Sequence, residues 1–190
     1  MNKRIAGAAL TAIVVAGCSQ PKTSYLPLEV GYEWKYTVTA GLQSSVETLK
    51  CVQNDSVAGT SGFRLQGPAG QSRYAWKAGV LVAEELAGTR YAPELPIFAP
   101  GLAKGKNMTW KGQITIAHRT FTASGVLMTE SGKISFGGRE TNSLRSELTL
   151  TLKDQPFKIV TWYVDRVGMV RQEERAGDRL MRSVEYISGP

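Results

Sequence analysis

Cys18, Cys51 and His118 are the only cysteines and the only histidine in this 190-residue sequence, and that scarcity decides most of the chemistry. A multi-histidine zinc centre is excluded, and the two thiols stand too far apart in sequence for a paired-cysteine motif. A Ser-His-Asp arrangement would have to use His118, yet no Gly-x-Ser-x-Gly elbow is present to expose a serine. The sequence also lacks Gly-x-x-x-x-Gly-Lys-Ser/Thr and Gly-x-Gly-x-x-Gly, so no phosphate or dinucleotide cofactor is implied. Paired carboxylates are the remaining route, because glycosidic chemistry depends on spatial separation rather than on spacing in the chain. Glu84-Glu85 and Glu173-Glu174 are the adjacent pairs. Neighbours on a strand point to opposite faces, so each pair should split and leave one member solvated. No catalytic residue is assigned, and the chain is read as a non-enzyme without cofactor or metal.

Cys18 differs from Cys51 in its context. Lys3 and Arg4 precede the apolar stretch Ile5–Val15, which suits a signal-peptide core and falls short of the about 20 apolar residues of a membrane span. Small Ala16 and Gly17 then lead into the thiol. Val15-Ala16-Gly17-Cys18 resembles the lipobox of bacterial lipoproteins. That resemblance implies cleavage between Gly17 and Cys18, a diacylglyceryl group on the thiol, and acylation of the new amino group, commonly with palmitate. Several chains anchor stably where one holds only marginally. Residues 1–17 are thus expected to be a helical signal peptide, 18–24 the lipidated cysteine and its tether, and 25–190 a single β-rich domain. The tether Ser19–Ser24 reaches at most about 20 Å at ~3.3–3.6 Å per residue, so the domain should sit close to its membrane. In lipoprotein sorting an Asp after the cysteine retains the protein at the inner membrane. Ser19 stands there instead, which implies outer-membrane delivery, on the periplasmic or the surface face.

The formal charge is +7, with charges interspersed rather than blocked. An exported, tethered chain of this kind is not expected to bind nucleic acid; its expected partners are the membrane, through the lipid, and an envelope protein or hydrophobic ligand. Cys51 shares strand parity with Leu49 and should be a buried, inert thiol.

The elements that must position these residues are strands. Tyr32, Trp34, Tyr36 and Val38 alternate with Glu33, Lys35, Thr37 and Thr39, the period-two pattern of a half-buried strand. Leu144, Ser146, Leu148, Leu150 and Leu152 repeat it, as do Trp110, Ile114 and Ile116 against Lys111, Gln113 and Thr115. Phe157–Val164 is apolar on both faces, as in a strand covered on two sides. Val82–Leu86 is read as a strand, and Arg171–Arg182 as a hairpin turning at Gly177, with cross-strand ion pairs among its arginines and carboxylates. His118 falls at a strand end or turn. Turn signals at short intervals, including Ala58-Gly59, Ser131-Gly132 and Asp154-Gln155-Pro156, complete the pattern. About 10–12 short strands imply an all-β sandwich or a barrel, open or closed. The expected fold is an antiparallel open or half-barrel-like sheet, or a sandwich.

Pro93, Pro96 and Pro100 interrupt this regularity, and Ala92–Asn107 reads as one long loop. It carries Leu95, Ile97, Phe98 and Leu102, which are expected either to strap one end of the sheet or to form a lid or contact surface near the mouth of a ligand site.

Tyr25-Leu26-Pro27-Leu28-Glu29-Val30-Gly31-Tyr32-Glu33-Trp34-Lys35-Tyr36 and Trp162-Tyr163-Val164-Asp165-Arg166-Val167-Gly168-Met169-Val170 resemble a group of bacterial envelope lipoproteins with a "pLxxGxxWxY … WYxxxVGxV" pattern. More distantly they are similar to the curved half-barrels of the lipoprotein carriers LolA and LolB. The resemblance implies a sheet with a concave face and no active site. The functional expectation is a non-catalytic, lipid-anchored envelope protein that binds a partner or supports an assembly. The alternative is a binder or carrier of a hydrophobic ligand held in a concave β-sheet.

Overall fold

A computed structural model describes residues 24–190; the expected signal peptide, with Gly17 and Cys18, and the expected tether up to residue 23 lie outside the described residues. Twelve strands follow one another: β1 (Glu33–Ala40), β2 (Gln43–Val57), β3 (Thr60–Gly67), β4 (Gly70–Lys77), β5 (Val80–Leu86), β6 (Thr89–Phe98), β7 (Met108–Ile116), β8 (Arg119–Phe136), β9 (Arg139–Leu152), β10 (Gln155–Val164), β11 (Gly168–Ala176) and β12 (Arg179–Ser188). Each pairs antiparallel with the next, and β12 returns to pair with β1, so the sheet closes into an up-and-down barrel. This corrects the expected open or half-barrel sheet or sandwich. Closure removes both sheet edges, which would otherwise present unpaired backbone groups.

Two-residue turns make the meander possible. Ala58-Gly59, Ala78-Gly79, Ala87-Gly88, Ala117-His118 and Lys153-Asp154 all have positive φ at both residues, the geometry whose twist matches adjacent antiparallel strands. His118 is therefore an exposed turn residue. Ser131-Gly132 is not a turn: β8 runs through it to Phe136 and pairs with β9 along its length. Val80–Leu86 is a strand, and β11–β12 is a hairpin turning at Gly177.

Alternation sorts the side chains cleanly. Trp34, Tyr36, Val38, Leu148 and Leu150 are buried inside, with Tyr32 and Leu152 half-buried, while Glu33 and Lys35 face outward. Cys51 is fully buried. Outward faces carry ion pairs, such as Asp55 with Arg64 and Arg73 at 3.1 and 2.9 Å, and Glu147 with Lys158 at 2.6 Å. A membrane-spanning barrel has the reverse pattern, an apolar band outside and polar groups within. On β10, Val160 and Trp162 face outward and are covered by neighbouring side chains rather than by a second layer. Trp162 lies between the guanidinium groups of Arg145 and Arg171, 5.8 and 5.3 Å from its ring centroid.

The proline segment is the main local departure from the expected loop. β6 continues through Pro93 and Pro96 to Phe98, and it pairs with β7 only over Arg90–Ala92. Beyond Ala92 no β7 partner needs its N–H groups, so prolines are tolerated there. The segment parts from β7 while staying paired with β5 as far as Phe98, and it leans across one end of the barrel: the Ile97 carbonyl accepts a 2.8 Å hydrogen bond from Ser146 on β9, and Phe98 stacks on Tyr163 of β10 at 4.1 Å. Gly112 permits the departure, because a Cβ there would lie 2.5 Å from the Ala92 carbonyl oxygen.

Candidate functional site

An eight-stranded barrel is just filled by its side chains or holds one small ligand, whereas sixteen or more strands leave a channel. With twelve, the wall encloses more space than its inward residues occupy. A cavity of about 700 Å³ results, with a smaller recess of about 70 Å³ sharing its lower walls. That volume lies within the ~300–1,000 Å³ usual for small-molecule sites. Beside it, Ala123 and Gly125 on β8 stand opposite Leu152 and Leu150 on β9, and a Cβ at Gly125 would lie 3.0 Å from Leu150 Cδ2.

The two ends of this cavity differ. The N-terminal strap and the β6 crossing seal the floor. Phe98 meets the rings of Tyr25 at 5.9 Å and Trp76 at 6.1 Å in addition to its stack on Tyr163, and Leu81 and Leu26 complete this cluster. Ser24 is held at the same end, its carbonyl accepting from the Arg166 amide at 2.8 Å and its hydroxyl donating to Asp165. The other end is the mouth. It is bordered by the turns β3–β4 (Gly67–Gly70), β5–β6 (Ala87–Thr89) and β9–β10 (Leu152–Gln155), together with Ile116 and Ala176. The mouth thus faces away from the point where the chain enters the barrel.

Between them the wall is apolar with polar groups at defined heights. Val38, Leu49, Ile114, Leu150, Phe157 and Ile159 supply most of the surface. At mid-depth Tyr36, Tyr74 and Tyr163 project inward, and burial pushes each phenol above its ordinary pKa, so all three remain neutral hydroxyls. Tyr91, raised by the same cause and by the nearby Glu174 charge, lies towards the mouth. Gln172 donates to Thr161 at 3.2 Å. At the mouth, Arg182 on β12 donates to Glu174 on β11 at 3.0 Å and to Glu47 on β2 at 3.4 Å. Register accounts for this convergence: Glu174 pairs Arg182, and Glu47 stands opposite inward Tyr36.

Leu95 and Phe98 are fully buried in the floor, Ile97 lines the small recess, and Leu102 packs half-buried against the Leu95–Trp110 cluster. They lie at the closed end of the barrel, in the strap arrangement that was the first of the two expectations, and Ile97 alone of the four borders the recess. The expected solvated carboxylates are corrected. Glu173 is bracketed by Arg171 at 2.7 Å and Arg175 at 3.0 Å on the outer face, while Glu174 points inward. Glu84 binds Arg73 at 2.6 Å, and Glu85 accepts from Gln71 at 2.7 Å. Among the described residues no group of three His, Cys, Asp or Glu side chains could hold a metal ion. Sequence reading missed Glu47, Glu174 and Arg182 as a unit, although Glu47 shares parity with Leu49 and Arg182 with Val184. A charged residue in register with an apolar face was the available signal.

No protein-family model matches the chain, and no curated protein does. Solved structures match by shape. A candidate lipoprotein of Parabacteroides distasonis ATCC 8503 superposes with a TM-score of 0.54 at 11% identity, over 88% of this chain and 99% of that one. A candidate exported protein with a YmcC-like fold from Bacteroides fragilis gives 0.48 at 10% identity over 88% and 99%, and the hypothetical lipoprotein YmcC from Escherichia coli (K12) gives 0.45 at 10% over 84% and 88%. The first likeness establishes a shared fold.

Proposed function

We propose that this chain is a lipid-anchored protein of the bacterial cell envelope whose barrel binds an apolar or amphiphilic ligand, without catalysis. One observation carries the reading: an apolar cavity of about 700 Å³, sealed at the end where the chain enters and bordered by turns at the other. The lipobox supports the address, and Ser19 after the cysteine supports the outer membrane. Solved lipoproteins of similar shape agree with an envelope location. With the N-terminal strap at the floor, a tethered barrel would present its mouth away from the anchor.

Each methylene removed from water contributes about 0.8 kcal/mol, so lengthening a single-chain ligand by two carbons should tighten binding roughly tenfold until the cavity is filled. The test is native purification of residues 24–190 followed by mass spectrometry for retained lipid and titration with a fluorescent apolar probe. Ile159→Trp, placed to fill the cavity from its wall, should abolish probe binding while thermal melts stay near wild type. Binding that is absent from the wild type, or undiminished in this variant, would remove the proposal.

Partner docking in envelope assembly is the second reading, favoured by the outer shelf where Arg145 and Arg171 flank Trp162 beside a groove of about 430 Å³. Aromatic and arginine side chains are enriched at protein interfaces. Trp162→Ala should then lower recovery of an envelope partner in cross-linking without altering probe binding.

A further inference from the structure

The polarity of the cavity is graded along its axis, and the gradient specifies a class of ligand. We infer that the occupant is a single-chain amphiphile bearing a protonated amine, with its chain against the apolar wall and its amine at Glu47 and Glu174. This rests on the ligand-binding reading above and adds the chemistry of the headgroup. The floor is built mainly of hydrocarbon and aromatic ring, from Leu26 and Leu81 to Phe98, and the polar side chains of the recess above it are already paired, Ser146 with the Ile97 carbonyl and Gln172 with Thr161, so a headgroup ending there would lose hydrogen bonds. The tyrosine hydroxyls at mid-depth suit a linkage oxygen. Charge lines the cavity towards its mouth, where Glu47, Arg182 and Glu174 form a triad of two carboxylates on one guanidinium, with Lys153 on the rim beyond it.

Arg182 is already engaged. It spends one terminal nitrogen on Glu174 and the other on Glu47, and its side chain is 26% exposed against 24% and 23% for the two carboxylates. An anionic headgroup would have to displace one of these carboxylates to reach the guanidinium, leaving a half-buried negative charge without its partner. A protonated amine instead meets the second oxygen of each carboxylate and completes the charge balance. Lys153, on the rim, directs its ammonium over the Phe121 ring at 4.8 Å rather than into the triad.

The experiment uses the full-length chain in native membranes captured in polymer-bounded discs, with three photoactivatable C16 probes that differ only in headgroup: amine, alcohol and carboxylate. Cross-links are mapped to peptides of β9, β10 and β12, so labelling inside the barrel is separated from labelling of the lipid around it. The amine probe should label these peptides more than the carboxylate probe by on the order of tenfold, the effect of one charge-assisted hydrogen bond in a half-buried setting. The alcohol should lie between them.

Glu47→Gln with Glu174→Gln leaves Arg182 uncompensated and should reverse the order. Arg182→Gln should keep or sharpen the amine preference; unchanged alcohol labelling reports that each variant is folded, and either variant alone suffices. Displacement of the amine probe by unlabelled lysophosphatidylethanolamine would assign the amine to a lipid headgroup, and displacement by simple alkylamines alone would assign it to a free amine; both support the inference. Equal or stronger labelling by the carboxylate probe, with alcohol labelling intact, would overturn it and leave the cavity reading standing. Absence of labelling by all three would remove both.

Discussion

Trp34→Ala tests the inward face of β1 and, through it, the register of the barrel. Trp34 has no exposed surface and packs among Tyr36, Val38, Cys51, Leu65 and Val184. Tyr32 meets its ring edge-on at 6.2 Å, and the chain end closes over it so tightly that a Cβ at Gly189 would stand 2.8 Å from Cδ1. Truncation of such a residue costs about 3–5 kcal/mol, a large share of the ~5–15 kcal/mol that holds a domain folded. For a chain of this size that corresponds to a fall in Tm of roughly 6–20 °C. One term opposes the loss, since the indole Nε1 is buried without a hydrogen-bond partner, and an orphan donor costs about 1–3 kcal/mol. Trp34→Phe keeps much of the apolar contact and removes that donor, so its net cost should be within about 1 kcal/mol, well below the alanine variant. Lys35→Ala, on the exposed face, should change stability by less than about 0.5 kcal/mol. Urea titrations followed by circular dichroism give all three values, and an unchanged m-value shows that the denatured state is unaffected. If Trp34→Ala costs less than Lys35→Ala, the inward and outward faces have been exchanged and the barrel register is wrong.

Three further outcomes are expected. Burial pushes the Cys51 thiol up to about 11, so a thiol reagent at pH 8 should leave it unmodified in the folded protein and modify it fully in urea; rapid native labelling would contradict its burial. Asp55 is held below the ordinary carboxylate range chiefly by Arg73. Burial pushes Glu147 up, but the hydrogen bonds and charges of Lys158 and Arg145 together outweigh it and lower the group. Their stabilisation is present above the unfolded carboxylate range of about 4 and lost as pH falls through the lower folded values. The urea midpoint should therefore drop below about pH 4, and Glu147→Gln should lower it at pH 7 while flattening that acid slope. Cys18→Ser should abolish metabolic labelling with acyl chains, and continued labelling of that variant would refute the lipobox.

The strands were legible because their signal is local. Period-two alternation in Tyr32–Thr39 and Leu144–Lys153 identifies a wall residue by residue, and the Ala58-Gly59 turn was marked by its glycine, whereas Ala78-Gly79 and Ala87-Gly88 went unread although they place alanine at positive φ in the same way. Prolines misled for a physical reason. Pro93 and Pro96 are barred from a strand only where their missing N–H would be needed, and whether β7 lies alongside is a long-range fact. Ser131-Gly132 misled in the opposite sense: nothing in a Ser-Gly pair shows that β9 pairs with β8 from Ala123 to Phe136. The adjacent glutamates were read correctly as pointing to opposite faces, but their partners sit on other strands. Glu174 finds Arg182 eight residues away, whereas the third member, Glu47, comes from the far end of the chain.

Closure is the property that no local pattern carries, and the cavity depends on it. The pairing of β1 with β12 joins residues 35–40 to residues 182–188, and without it the same twelve strands would form an open sheet with one solvated concave face. An inward glutamate on such a sheet would be an ordinary hydrated charge. Once the wall is closed, Glu47 on β2 and Arg182 on β12 are separated only by β1, and their carboxylate and guanidinium are drawn together inside the wall of the cavity. The same closing pair brings Tyr36 alongside Val184 and Tyr186, within the circle of phenols that Tyr74 and Tyr163 complete. The apolar wall, the tyrosines and the charged mouth are therefore one consequence of a single seam. Weakening that seam should alter ligand selectivity before it unfolds the barrel, since eleven of its twelve strand pairings would remain.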